Sequence, residues 1–148
     1  MQTDVQNIQS AVAKLYQSLL NTQGSSYSEA LAIDKSSKAL NDNINTANTD
    51  AGAVTSVTKA QAKTLLAILS NTYPNVSAAS QRLIALQPAF KKLGVAGIAK
   101  NDVNQLASST KTFGATLVNK APAAQKSSAS SLAGQYNAAL ASAAAAYA

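Results

Sequence analysis

The sequence contains no cysteine, no histidine and no tryptophan, and only 6 of its 148 residues are acidic. Without cysteine the chain has no disulfide framework, thiol nucleophile or thiolate metal site. Without histidine it lacks the commonest metal ligand and the usual general base, so a Ser-His-Asp triad cannot form. We therefore expect no catalytic residue, no metal site and no cofactor, and we interpret the chain as a protein that is not an enzyme.

Long apolar runs are absent as well. No segment approaches the ~18 apolar residues of a transmembrane helix, so none is expected to cross a membrane. Residues 1–4 show neither the basic nor the apolar region of a signal peptide. A length of 148 residues predicts one helical-bundle domain over residues 1–148. The chain is then either cytosolic or the mature region of a secreted protein without its signal peptide.

The charged residues that are present give the chain a positive balance. Lys and Arg number 12 against 6 Asp and Glu, which gives a net charge of +6. The lysines are spread along the chain, without interleaved aromatic residues or a recognised nucleic-acid motif, so nucleic acid is not an expected partner. The charge is compatible with weak attraction to anionic head groups or to an acidic cell wall.

Apolar residues recur at helical spacing along the whole chain, and its abundant alanine, leucine, lysine and glutamine favour helix. The pattern predicts an all-α protein, an antiparallel bundle of about five amphipathic helices with short connections. Their expected positions are about 4–22, 27–49, 59–90, 102–119 and 122–146.

Three helix starts carry capping-box patterns, Thr3-Asp4-Val5-Gln6, Ser26-Tyr27-Ser28-Glu29 and Thr58-Lys59-Ala60-Gln61. In each pattern the hydroxyl can accept a bond from an N–H of the first turn, and the Gln or Glu can reach back. Gly24 is expected to end the first helix.

Two prolines, Pro74 and Pro88, lie within the third apolar stripe. Because the stripe keeps its phase across Pro74, we favour one long helix kinked at that residue. The alternative is a break at residues 71–74, with Pro74 as the first residue of a new helix. Residues 94–98 are interpreted as a loop.

Four polar residues fall in the middle of the predicted apolar stripes: Ser37, Ser80, Gln87 and Thr110. An unpaired buried polar group costs about 1–3 kcal/mol, so these side chains are candidates for contact with the head group of an apolar ligand. Alternatively, the hydroxyls bond to the carbonyl four residues earlier, and the glutamine lies at a solvated end of its helix.

Small side chains dominate the inward face of the fifth helix, and few aromatic residues are available to fill the axis of the bundle. Either the helices approach closely across alanine, or an elongated apolar cavity remains and takes a ligand. In the second case the candidates for contact with the ligand tail are Leu19, Leu40, Ile44, Leu69, Val76, Leu83, Phe113, Leu117 and Tyr136.

Two predicted loops, residues 51–57 and 94–98, carry aliphatic side chains where polar ones are usual. They could form a portal, a lid or an adhesive tip, or they could pack over the ends of the bundle. The side chains concerned are Val54, Val57, Val95 and Ile98.

Four segments carry a family resemblance: Asp4-Val5-Gln6-Asn7-Ile8, residues 60–69, Phe90-Lys91-Lys92-Leu93-Gly94-Val95-Ala96-Gly97, and the Ala-rich residues 136–148. In these segments, in length and in composition, the chain resembles the fungal hydrophobic-surface-binding protein A family. That family includes the ligand-binding domains of antigenic cell-wall galactomannoproteins. The resemblance covers essentially the whole chain.

The resemblance implies a small secreted helical bundle associated with the fungal cell wall, although we find no Ser/Thr-rich tail or anchor signal of wall-attached members. Family members adsorb to hydrophobic surfaces and recruit secreted esterases to them. The galactomannoprotein branch binds long-chain fatty acids in an apolar tunnel, with hydroxyl side chains near the carboxylate. Ser37, Ser80 and Thr110 are the best matches to those hydroxyls.

The favoured hypothesis is a non-catalytic secreted lipid-binding protein that encloses a long-chain fatty acid or a similar apolar ligand in the bundle core. The first alternative is an adhesion protein that coats hydrophobic surfaces and recruits a secreted esterase. The second is a structural cell-wall mannoprotein with a solid core.

Overall fold

Five α-helices and no strand make up the computed structural model, which describes residues 1–148. The helices are α1 (Gln2–Leu20), α2 (Tyr27–Ala53), α3 (Lys59–Leu93), α4 (Ala96–Lys120) and α5 (Ala123–Ala146). The prediction of an all-α bundle of about five helices is confirmed. None of the helices combines the length and the apolar character needed to span a membrane.

The helices pack side by side in a closed ring with the order α1, α2, α4, α5 and α3, which returns to α1. Because the connections have at most six residues, consecutive helices run in opposite directions. We call the end with residues 21–26 and 94–95 the upper end, and the end with residues 54–58 and 121–122 the lower end. Each helix turns its apolar face toward the shared interior of the ring.

The apolar stripes predicted from the sequence form the core of the ring. On α1 the buried side chains include Val5, Ile8, Val12 and Leu15, spaced three or four residues apart. Phe90 of α3 is 1% exposed, and burying a side chain of this size contributes about 1.5–3 kcal/mol. Packing of these stripes, more than helix propensity, therefore stabilises the bundle.

The starts of α2 and α3 are capped by side chains. The Thr58 hydroxyl accepts a hydrogen bond from the Gln61 N–H at 3.1 Å, and the Gln61 side chain accepts one from the Thr58 N–H at 3.0 Å. The Ser26 hydroxyl accepts from the Glu29 N–H at 3.1 Å, but the Glu29 carboxylate accepts from the N–H of Gln23. The predicted capping box is thus complete on α3 and half formed on α2.

Two helix starts differ from the prediction. α1 begins at Gln2 with Met1 as its N-cap and without a side-chain cap, so the capping box predicted at Thr3 is wrong. α4 begins at Ala96, so residues 96–98 are helical and the loop predicted there is wrong for them.

The connection between α3 and α4 is short because of one glycine. Gly94 has a left-handed backbone with φ of +83°, which ends α3. The N–H of Val95 then donates to the Phe90 carbonyl at 2.9 Å, and α4 begins at the next residue. The spacing of apolar residues does not predict this turn, because the residues that follow it show no helical spacing of apolar side chains.

α3 runs without interruption through Pro74 and Pro88. Each proline lacks the N–H that would bond to the carbonyl four residues earlier. Because α3 is nevertheless continuous across residues 71–74, the alternative of two helices that separate there is wrong. The kink expected at Pro74 stays a prediction.

Candidate functional site

The interior of the ring contains a cavity to which all five helices contribute. The part of it that molecules of the size of water can occupy has a volume of about 90 Å³. One buried water needs about 10–15 Å³ of such space, so the interior is only partly filled by side chains. Of the 22 lining residues, 19 are hydrophobic. A ligand inside the ring would therefore meet an almost wholly apolar surface.

Small residues shape the cavity where α4 and α5 approach each other. A Cβ atom added to Gly114 of α4 would lie 3.1 Å from the Cβ atom of Ala133 on α5, so the two helices are in close contact there. Ala129 and Ala133 also present short side chains to the interior. Both effects expected of small side chains occur, namely close approach between neighbours and unfilled space at the centre.

Most candidates for contact with a ligand tail lie in the cavity lining. Leu19 is the exception, because its side chain is fully buried at the end of α1. Periodicity indicates an inward face, but not whether neighbouring helices leave space beside it. The same stripes supply lining residues that were not candidates, including Val12, Leu106 and Leu132. The candidates in the lining are Leu40, Ile44, Leu69, Val76, Leu83, Phe113, Leu117 and Tyr136.

Ser80 and Thr110 are the serine and the threonine of the cavity lining. Ser80 lies 13 residues before the end of α3, and Thr110 lies 14 residues after the start of α4. At ~1.5 Å per residue, both lie about 20 Å along their helices from the α3–α4 connection. The two hydroxyls therefore reach the cavity at a similar depth, from helices on different sides of the ring.

Neither of these hydroxyls forms the local backbone bond that the alternative interpretation expected. The Thr72 hydroxyl of α3 donates to the Ile68 carbonyl at 2.8 Å, which is the expected bond. Ser80 and Thr110 make no bond of this kind, and both line the cavity. Their hydroxyls are therefore free to bind a polar group inside it.

The other two head-group candidates lie outside the lining. Ser37 of α2 is 3% exposed and belongs to the buried part of the bundle. Gln87 of α3 is half-buried near the upper end, as the solvated-end interpretation expects. The structure thus brings Ser80 and Thr110 together at the cavity and leaves Ser37 and Gln87 apart from them.

No cationic side chain lines the cavity. Arg82, the only arginine of the chain, donates to the carbonyls of Leu19 at 3.2 Å and Thr22 at 2.7 Å. These bonds satisfy free C=O groups at the end of α1. A charged carboxylate deep in the cavity would have no ion-pair partner, which is energetically costly.

Two tyrosines attach the C-terminal part of the chain to α3. The Tyr136 hydroxyl donates to the Leu69 carbonyl, and the Tyr147 hydroxyl donates to the Leu83 carbonyl at 2.7 Å. Burial raises the pKa of both phenols above its ordinary value, so both remain neutral donors. The Tyr136 ring also packs against Tyr73, with ring centroids 5.4 Å apart. Sequence reasoning missed these bonds, because a helical pattern does not mark donors to a neighbouring backbone.

The four loop candidates take different positions. Val57 and Val95 are 7% and 2% exposed, so both pack over the ends of the bundle. Val54 is half-buried against the core. Ile98, in the first turn of α4, is 37% exposed. Of the four side chains, Ile98 is thus the one that an external surface could reach.

A smaller pocket adjoins the cavity at the lower end. It is lined in part by Val57 and shares Leu66 and Leu117 with the main cavity. The covering segment is held to α4, because the Lys120 ammonium donates to the Val54 carbonyl and the Val57 N–H donates to the Lys120 carbonyl at 3.3 Å. Residues 54–58 therefore close the lower end of the cavity.

A pair of carboxyl groups links α2 and α4 outside the cavity. Asp102 is 5% exposed, and burial together with a hydrogen bond to Asp34 raises its pKa to about 7. The same bond lowers the pKa of Asp34, whose carboxylate also lies 3.0 Å from the Lys38 ammonium. Sequence analysis did not find this pair, in which one proton is shared below neutral pH. No group of three acidic residues is close enough to hold a metal ion.

Comparison with known proteins gives one family and a set of similar folds. A model of the family described as Hydrophobic surface binding protein A matches residues 1–119 of the chain. No curated protein matches it.

Solved structures share the fold over almost the whole chain. AFMP4P in complex with palmitic acid is 24% identical, with a TM-score of 0.93, and the match covers 99% of this chain and 97% of that one. Ligand-binding domain 2 of Penicillium marneffei MP1, complexed with multiple arachidonic acids, is 17% identical, with a TM-score of 0.91 and coverage of 99% and 93%. Domain 1 of MP1, complexed with arachidonic acids, is 16% identical, with a TM-score of 0.91 and coverage of 99% and 95%.

Proposed function

The chain belongs to the hydrophobic surface binding protein A family, and we propose that it binds a long-chain fatty acid or a similar lipid inside the ring, without catalysing a reaction. The observation that carries this proposal is the cavity inside the ring, in which 19 of the 22 lining residues are hydrophobic. Each methylene group moved from water into such surroundings gains about 0.8 kcal/mol, so a long hydrocarbon chain is the favoured ligand. AFMP4P and the MP1 domains, which share the fold, are complexed with palmitic and arachidonic acids, which supports this ligand class.

In this proposal the head group of the ligand binds near Ser80 and Thr110. Their two hydroxyls can donate to a carbonyl or carboxyl oxygen from opposite sides. Because no cation lines the cavity, a carboxyl group bound at these hydroxyls is expected to be protonated. The hydrocarbon tail then contacts the leucine, valine and aromatic side chains of the lining.

Native mass spectrometry of the freshly purified chain tests the proposal directly. We expect an additional lipid mass on the folded protein that is lost on denaturation, or a complex after addition of palmitic acid. A clean mass without lipid, together with no complex after palmitic acid is added, would exclude an enclosed lipid site.

A tryptophan that fills the cavity gives a second test. Leu83 is 5% exposed and lies in the lining, so Leu83→Trp should weaken palmitic acid binding by about tenfold or more. Ala85, two residues further along α3, is exposed, so Ala85→Trp is the matched control and should bind as the unmodified chain does. Equal affinities of the two folded variants would argue against this cavity as the site.

Adsorption to hydrophobic surfaces is a second candidate function, favoured by the exposed side chain of Ile98 and by the description of the family. Ile98→Asp should then weaken adsorption to a hydrophobic surface and leave binding of soluble fatty acid intact, because Ile98 is exposed and does not line the cavity. Undiminished adsorption of this variant would remove Ile98 from the mechanism. Secretion, association with a fungal cell wall and recruitment of a secreted esterase remain predictions from the family resemblance.

A further inference from the structure

The exposed large hydrophobic side chains of the chain all lie toward one end of the ring. They come from the end of α1, the start of α2, the last third of α3 and the start of α4. None of them lines the cavity. They are Leu20 (48% exposed), Tyr27 (53%), Leu31 (46%), Ile84 (37%) and Ile98 (37%).

Hydrogen bonds and packing show that the α3 residue of this set lies at the same end as the others. The bonds from Arg82 to the carbonyls of Leu19 and Thr22 put residue 82 level with the end of α1. Further along α3, Ala89 lies directly against Gly24 of the α1–α2 connection, where an added Cβ atom would be only 2.5 Å from the Ala89 Cβ atom. The segment of α3 between these contacts therefore belongs to the upper end.

The charge of this end is positive at its surface. Five lysines there are exposed, while Glu29 and Asp34 are half-buried and Asp102 is buried. Asp34 is also neutralised in part by Lys38, whose ammonium lies 3.0 Å from the carboxylate. The exposed lysines are Lys35, Lys38, Lys91, Lys92 and Lys100.

We propose that the upper end of the ring is a docking surface for an anionic lipid bilayer. Leu20, Tyr27, Leu31 and Ile98 enter the boundary between head groups and acyl chains, as apolar side chains of interfacial proteins do. The lysines bind the negatively charged head groups, each contributing attraction that ionic strength screens. This inference goes beyond the cavity and does not depend on whether a lipid binds inside it.

The combination of features favours a bilayer over other occupants. An uncharged hydrophobic solid would use the aliphatic side chains but not the lysines. A nucleic acid would use the lysines but not the aliphatic side chains. An anionic bilayer interacts with both. Single exposed aliphatic side chains are common on protein surfaces, but here the lower end and the sides of the ring have no large ones.

Flotation with vesicles tests the proposal with the full chain. We expect binding to vesicles of phosphatidylcholine with phosphatidylserine, and binding weaker by about tenfold or more to phosphatidylcholine alone. Leu20→Gln combined with Leu31→Gln should lower binding to the anionic vesicles about tenfold or more. Circular dichroism establishes that this variant is folded.

A matched pair of charge variants separates a docking surface from general attraction. Lys91→Gln with Lys92→Gln, at the upper end, should weaken anionic vesicle binding about tenfold. Lys59→Gln with Lys63→Gln removes the same charge at the lower end and should change binding less than about twofold. Equal losses in both pairs, or no vesicle binding at all, would overturn the proposal. Binding to phosphatidylcholine vesicles as strong as binding to the anionic vesicles would also overturn it. So would equally strong binding to uncharged hydrophobic beads that neither lysine pair changes.

Discussion

At the scale of single residues, the two cavity hydroxyls are the features most directly open to test. Ser80 and Thr110 were found from periodicity, because polar residues on an apolar stripe stand out in the sequence. Periodicity treated Ser37 in the same way, although that residue does not line the cavity. Whether such a residue lines the cavity depends on the space that neighbouring helices leave beside it. The apolar stripe of one helix gives no information about that space.

We predict that Ser80→Ala combined with Thr110→Val lowers the affinity for palmitic acid roughly tenfold, because two donors to the head group are lost. The melting temperature should stay constant or rise, since both hydroxyls are replaced by apolar groups in apolar surroundings. Isothermal titration calorimetry and thermal unfolding measure the two effects. Ser37→Ala, a buried hydroxyl outside the lining, is the control, and an equal loss of affinity in it would contradict the assignment.

The carboxyl pair predicts a dependence of stability on pH. The pKa of Asp102 is about 7 in the folded chain against 3.8 for an unperturbed carboxyl, so the folded state binds more protons between these values. The stability that protonated Asp102 contributes is present at acidic pH and is lost as pH rises through about 7. Asp102→Asn cannot ionise and keeps a donor toward Asp34, so its melting temperature should fall less between about pH 4 and 7, the range set by these pKa values.

Thermal unfolding of both chains across this pH range measures the difference. Asp42→Asn, an exposed position on α2, is the control for the loss of a negative charge. Parallel curves for the unmodified chain and Asp102→Asn would show that Asp102 does not titrate in this range.

At the scale of the helices, the attachment of α5 to α3 rests on specific bonds as well as on packing. α5 is rich in alanine, and Leu132, Tyr136 and Leu140 are the large apolar side chains that it buries. Tyr136 therefore contributes both a large buried surface and a bond to the Leu69 carbonyl. The sequence indicated the inward position of Tyr136 but not the partner of its hydroxyl, because that partner is a backbone atom far away in the chain.

We predict that Tyr136→Phe lowers the free energy of unfolding by about 1 kcal/mol, since one buried hydrogen bond is lost and the ring remains. Denaturant unfolding measures the change. Tyr27→Phe is the matched control, because Tyr27 is 53% exposed and its hydroxyl makes no bond within the chain. Similar stabilities of the two variants would mean that the bond to α3 contributes nothing.

The ends of the helices show which features local sequence patterns can predict. The Thr58 box appears in the structure as predicted, because both of its bonds lie within four residues. The early start of α4 at Ala96 was missed, because it depends on the turn at Gly94 and on burial of Val95 under the rest of the bundle. Local patterns therefore predict a cap better than they predict the residue at which tertiary packing allows a helix to begin.

At the scale of the whole molecule, the order of the helices in the ring determines the cavity. An inward stripe looks the same whichever helix lies beside it, so the sequence predicted five helices but not the order α1, α2, α4, α5, α3. The cavity follows from that order, because the helices surround the axis and their side chains do not fill it. For this reason the volume of the interior could not be predicted from the spacing of apolar residues.

Binding inside the ring should stabilise the whole molecule. At a free palmitic acid concentration about 100 times the Kd, the gain is about 2.7 kcal/mol, which for a chain of this size raises the melting temperature by roughly 5–10 °C. Differential scanning calorimetry measures the shift. Leu83→Trp should show little of it, and a shift of equal size in that variant would place the bound lipid elsewhere.

The order of the ring also bears on how the chain folds. Helices that touch are never more than two apart in sequence, and the first and last helices do not pack on each other. The pairs α1–α2 and α4–α5 join helices that are consecutive in the chain, whereas the pairs α1–α3, α2–α4 and α3–α5 bring together residues 63, 68 and 67 positions apart. Closing the ring therefore costs the loop entropy of these three longer pairings, but it requires no contact between the two ends of the chain.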